Sequence, residues 1–123
     1  MASQLLRFLT ARLRSVGHAI NGIVLLIKTE VNFQIQLLCA LAICVLGAVL
    51  GLSTTEWIVQ LLAIGLVLAA EAINTAIERL ADVYSKEQNK EIGLLKDIAA
   101  AAPLMAAIIA LVIGLLIYLP KIS

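Results

Sequence analysis

The sequence predicts an all-α membrane protein, with an N-terminal amphipathic surface helix followed by three transmembrane helices. Composition is the first reason. Of 123 residues, 63% are hydrophobic and 14% charged, with a mean hydropathy of +1.08, against roughly 45–50% apolar and about 25% charged in an ordinary globular chain. Segment length is the second: stretches at about 33–52, 57–78 and 98–119 each approach the ~20 apolar residues that a ~30 Å hydrocarbon core requires. The third is the absence of any linker or repeat between them, so residues 1–123 read as one integral-membrane domain.

Residues 1–30 form the surface element. Leu5, Leu6, Leu9, Leu13, Val16 and Ile20 alternate with Arg7, Arg12, Arg14 and His18 so that a helix gains one apolar and one basic side, the pattern of a helix lying in the membrane interface. Arginines interrupt its apolar stretch and no small-residue cleavage site follows, which excludes a secretory signal.

The first two spans are joined by Ser53-Thr54-Thr55-Glu56, short enough to force an antiparallel hairpin, with Ser53 or Thr54 capping the second helix. Trp57 and Tyr118, at span ends, fit the aromatic belt of the headgroup level. Pro103 falls about one turn into the third span, amid an alanine run that suits close helix approach.

Four of the nine Lys and Arg residues precede the first span, four lie between the second and third, and only Lys121 follows the third. The positive-inside rule then puts the N-terminus in the cytoplasm. Seven of the eight acids fall on that same side, Glu56 being the exception. A net charge of +1 gives no footprint for nucleic acid. Cys39 and Cys44 lie in an apolar run and read as packing residues without metal spacing.

Glu71, Asn74, Glu78 and Asp82 are spaced three, four and four, which places them along one helix face. An intramembrane carboxylate towards lipid costs about 2.5–3.5 kcal/mol on insertion scales, so Glu71 marks a functional site by default. Glu30 at the start of the first span and Lys96-Asp97 at the start of the third bring charge to the same level. Carboxylates without a Cys or His cluster suit a hard cation such as Mg²⁺, which takes one or two carboxylates plus substrate phosphates. The polar loop 84–90 beside them suits a phosphorylated ligand. Asp82 and Glu91 also read as the solvated end of a helix, and His18 as an interfacial side chain. Two functions remain open on the residues alone: a phosphate-transferring membrane enzyme, or a non-enzymatic oligomeric scaffold or proton-conducting assembly with paired carboxylates.

The segments EAINTAIE at Glu71–Glu78, LLKDIAAAA at Leu94–Ala102 and KTE at Lys28–Glu30 resemble the prokaryotic diacylglycerol kinase family, small three-span membrane enzymes unrelated to soluble kinases. The resemblance covers nearly the whole chain. GLSTTEW, LAIGLVLAAEAINTAIE and IGLLIYLPK look most like the branch whose Gram-positive members phosphorylate undecaprenol.

This resemblance implies an ATP- and Mg²⁺-dependent kinase of diacylglycerol or a polyprenol such as undecaprenol, seated as a homotrimer in the bacterial cytoplasmic membrane with its active site on the cytoplasmic side. It makes Glu71 the general base and substrate contact, with Asn74 placing the lipid hydroxyl. Glu30 and Glu78 become the metal ligands. The nucleotide contacts become Arg12, His18, Glu30, Glu78, Glu87, Gln88, Asn89, Lys96 and Asp97. Gln88-Asn89 stand where many relatives have Tyr-His, and no Walker A or kinase Gly-rich loop is present.

Overall fold

In a computed structural model, described for residues 1–123 other than Lys86 and Gln88, the described residues form α-helices joined by short connections and contain no strand. The helices are α1 (Ala2–Thr29), α2 (Val31–Leu50), α3 (Thr54–Tyr84) and α4 (Lys90–Ile122). The last three are long and apolar enough to cross a membrane. At 1.5 Å per residue the 20 residues of α2 match a ~30 Å hydrocarbon core, while α3 and α4 overrun it.

The sequence placed the second and third spans at 57–78 and 98–119, and the helices run further than those apolar stretches. The surplus lies where α3 and α4 meet the 84–90 loop, because a helix does not stop where its apolar run stops. It continues through charged residues until a cap ends it, and Asn89 supplies one by accepting from the Glu91 amide at 2.9 Å. Pro103 is therefore well inside α4 rather than one turn from its start, and it is buried.

Glu30 breaks α1 from α2 in a single residue with extended backbone, φ −108° and ψ 106°. Beyond this elbow α1 packs chiefly on α2 and buries none of its own residues. The most extensive packing is α3 on α4, with α2 against α3 next. Ala106 is buried and Ala99, Ala101, Ala107 and Ala110 are half-buried, so the alanine stripe of α4 serves close approach.

The α2–α3 hairpin is fixed by local chemistry. Gly51 adopts φ +72°, the left-handed conformation that glycine takes without strain, and Leu52 N–H reaches back to the Gly47 carbonyl at 3.1 Å. Ser53 then caps α3 in a reciprocal box: Glu56 N–H donates to Ser53 Oγ at 3.2 Å, and Ser53 N–H to Glu56 Oε2 at 3.1 Å. Lys121 Nζ sits 2.9 Å from the same Glu56 oxygen, tying the end of α4 to the start of α3.

Tyr118 does not point out of the bundle as an anchoring ring would. It is 7% exposed, and its hydroxyl proton is shared between Gln60 Oε1 at 2.6 Å and the Ile43 carbonyl at 3.0 Å. Three helices meet at this oxygen. Gly47 makes the room: a Cβ there would lie 2.8 Å from the tyrosine oxygen and 2.7 Å from Leu52 Cδ1.

Candidate active site

Near the elbow end of the bundle, α3 turns its polar face inward. Glu71, Asn74 and Thr75 are 4%, 5% and 5% exposed, their spacing of three and four placing them on one side of the helix. Farther along that face Glu78 is half-buried and Asp82 exposed. Burial of a carboxylate among apolar helices is unfavourable unless it is hydrogen-bonded. Gln36 of α2 provides the bond, its Nε2 donating to Glu71 Oε2 at 3.3 Å. Asn74 Nδ2 donates to Glu78 Oε1 at 3.4 Å.

Each of these amides keeps one buried oxygen, Gln36 Oε1 and Asn74 Oδ1, without a hydrogen-bond partner. A buried unsatisfied acceptor costs about 1–3 kcal/mol, and both acceptors belong to side chains that hold the carboxylates. The bonding capacity of the site is thus incomplete in the protein alone, and a donor arriving with a ligand would complete it.

Glu30 lies at the elbow. Its Oε1 accepts from Arg79 Nη2, which also donates to Thr29 Oγ1 at 2.7 Å. Lys96 Nζ is 2.7 Å from Asp82 Oδ1. It pairs with the acid across the helix interface and not with its neighbour Asp97, because consecutive side chains on a helix point about 100° apart.

No group of three or more His, Cys, Asp and Glu among the described residues could hold a metal by itself. Glu30 and Glu78 nevertheless each retain an oxygen, Oε2, with no hydrogen-bond partner among the described residues. Two hard monodentate donors are what a phosphate-bridging Mg²⁺ asks of a protein, so the donor chemistry fits such an ion.

The sequence-derived set is thus partly joined. Glu71, Asn74 and Glu78 share one face, Glu30 reaches that end of α3 through Arg79, and Lys96 reaches it through Asp82. Arg12 and His18 are exposed on α1 and have no hydrogen bond or ion pair among the described residues; the Arg12 guanidinium instead lies 4.9 Å from the Phe8 ring centroid. Glu87 and Asp97 are exposed, and Asn89 spends its side chain on the α4 cap. Gln88 lies outside the described residues.

Sequence reasoning missed Gln36, Gln60 and Arg79. The two glutamines carried a signal, since an amide inside an apolar span asks for a polar partner on a neighbouring helix. A groove of about 580 Å³ runs between the helices from Gln36 to Gln60 and Tyr118, lined in between by apolar side chains such as Ile43, Ile64, Val67 and Leu111.

The sequence profile described as "Prokaryotic diacylglycerol kinase" matches residues 17–118. Undecaprenol kinase of Bacillus subtilis (strain 168) is 38% identical over 109 residues, covering 89% of this chain and 89% of the relative. Diacylglycerol kinase of Synechocystis sp. (strain ATCC 27184 / PCC 6803 / Kazusa) is 32% identical over 109 residues, covering 88% of this chain and 62% of that protein.

Proposed function

This chain belongs to the prokaryotic diacylglycerol kinase family and is a membrane lipid kinase, and from that premise we propose that it transfers the γ-phosphoryl group of ATP to the hydroxyl of a polyprenol such as undecaprenol, with diacylglycerol the competing acceptor. The observation that carries the reading is the buried Glu71 carboxylate held by Gln36, a glutamine that itself lines one end of an apolar groove reaching Gln60 and Tyr118. A lipid chain lying in that groove brings its hydroxyl to the carboxylate.

Glu71 takes the hydroxyl proton. The lipid oxygen forms a bond to the γ-phosphorus, the bond from that phosphorus to the β,γ-bridging oxygen breaks, and ADP leaves. Asn74, one turn along the same face and bonded through Nδ2 to Glu78, helps place the hydroxyl. Phosphoryl transfer asks chiefly for positioning and for charge that offsets the spreading negative charge. Glu30 and Glu78 would hold Mg²⁺, which supplies part of that charge when bound with the nucleotide. Lys96, Asp97 and Glu87 are the nucleotide contacts on the α3–α4 side, and Arg12 and His18 those on α1. Lysines and arginines flanking the spans favour a cytoplasmic position for this end of the bundle, where ATP is available. Three helices with an open groove do not enclose a site by themselves, which supports a homo-oligomeric catalytic unit, and the family resemblance implies that it is a trimer.

The test is a side-by-side assay of both alcohols in mixed micelles with labelled ATP and Mg²⁺. The reading expects label on both or either lipid, with the higher kcat/KM for undecaprenol. A higher value for diacylglycerol overturns the choice of acceptor, and absence of label on both lipids overturns the ATP-dependent kinase.

A further inference from the structure

Arg79 follows Glu78 on α3 but serves a different contact. Its Nη2 donates to both Thr29 Oγ1 and the Glu30 carboxylate, so one nitrogen fastens α3 to the elbow between α1 and α2. The rest of the guanidinium is uncommitted. Nε and Nη1 have no hydrogen-bond partner among the described residues, and the side chain is 45% exposed. Nε–H and Nη1–H can each donate singly to a phosphate oxygen, and because both two-donor edges of a guanidinium include Nη2, bidentate pairing with a phosphate takes Nη2 over from Thr29 and Glu30. Glu30, the other half of the pair, is one of the two carboxylates with a free oxygen for a hard cation.

We infer that Arg79 is a nucleotide-phosphate contact which doubles as the counter-ion of Glu30 when no nucleotide is bound. The inference rests on the kinase reading above and adds to it a residue to which that reading gives no role. Its physical basis is that one fixed positive charge acts with opposite sign on two ligands. Beside Glu30 it competes with a divalent cation that arrives without phosphates. Once ATP brings several negative charges to the same place, the guanidinium becomes complementary to them and no longer needs Glu30 as its only anion. An arginine that merely straps α3 to the elbow does neither: its removal loosens the fold and weakens every ligand together.

The experiment uses the full chain in detergent micelles, as wild type, Arg79→Gln and Arg79→Lys. Mn²⁺ binding is followed by electron paramagnetic resonance without nucleotide, and binding of a non-hydrolysable ATP analogue by equilibrium dialysis with Mg²⁺. Arg79→Gln is expected to bind bare Mn²⁺ roughly two- to fivefold tighter, the size that a half-exposed ion pair allows. The same variant is expected to bind the nucleotide about tenfold or more weakly, as loss of a charge-assisted contact requires. Arg79→Lys keeps the charge without the fork, so its Mn²⁺ binding stays at the wild-type level and its nucleotide affinity falls between the other two. Unchanged or weaker Mn²⁺ binding in Arg79→Gln, or undiminished nucleotide affinity, overturns the inference while wild-type binding leaves the kinase reading standing. A wild-type protein that binds neither Mn²⁺ nor the analogue overturns both.

Discussion

Gln36 Nε2 lies 3.3 Å from Glu71 Oε2, so the first spanning helix holds the buried carboxylate of the second. The bond engages one Glu71 oxygen and restrains the carboxylate's rotamer, and in the proposed reaction the other oxygen takes the substrate proton. Gln36→Met keeps the length of the side chain and removes the donor. Its kcat should fall on the order of ten- to a hundredfold, the scale of a small misplacement of a reacting group, with the KM for ATP unchanged. A rise in the ATP KM with intact kcat would mean that Gln36 serves the nucleotide and not the base.

Glu30 and Glu78 come from the elbow and from α3, and each has one carboxylate oxygen without a hydrogen-bond partner among the described residues, which the proposal assigns to a cation. Glu30→Gln and Glu78→Gln should each raise the Mg²⁺ concentration for half-maximal activity by about tenfold, since affinity for hard cations follows the charge of the ligand set. Magnesium titration of the two variants and of the double variant checks this. If both ligate one ion, the double variant falls short of the product of the single effects. Unaltered Mg²⁺ titrations would remove both residues from the metal site.

At the hairpin end, the Tyr118 hydroxyl joins α4 to Gln60 of α3 and to the Ile43 carbonyl of α2. Tyr118→Phe leaves the Gln60 oxygen without its donor and should cost about 1–3 kcal/mol of stability. Gly47→Ala drives a methyl against Leu52 and the Tyr118 oxygen, with a similar cost of about 1–3 kcal/mol from overpacking. Thermal unfolding in detergent checks both, and the pair should be less than additive because they act at one contact. Two fully stable variants would show that this junction contributes nothing to the bundle.

The sequence and the fold agree where the signal is local or periodic. Apolar runs locate the three spanning helices, Ser53 is one of the two caps the sequence offers for α3, and the 3.6-residue period puts Glu71, Asn74 and Glu78 on one face. They part where a contact depends on how helices approach one another. Tyr118 ends an apolar run and so resembles an interfacial ring, yet the absence of a Cβ at Gly47 lets its hydroxyl reach between the helices. Lys96 adjoins Asp97 in sequence but meets Asp82 across the α3–α4 contact. Arg79 looks like solvated charge because its partners, Thr29 and Glu30, stand about fifty residues earlier. Gln36 is a lone amide in an apolar span, and only the packing of α2 on α3 names its partner.

The account stands or falls on Glu71 as the base. The direct measurement compares wild type with Glu71→Gln for phosphate transfer from labelled ATP to undecaprenol, with nucleotide affinity measured on the same preparations. The substitution keeps the shape and the bond from Gln36 but cannot take a proton. The account predicts a fall in kcat of about 10²–10⁴-fold with ATP affinity retained; substantial turnover by Glu71→Gln, or loss of nucleotide binding as the cause of inactivity, would contradict it.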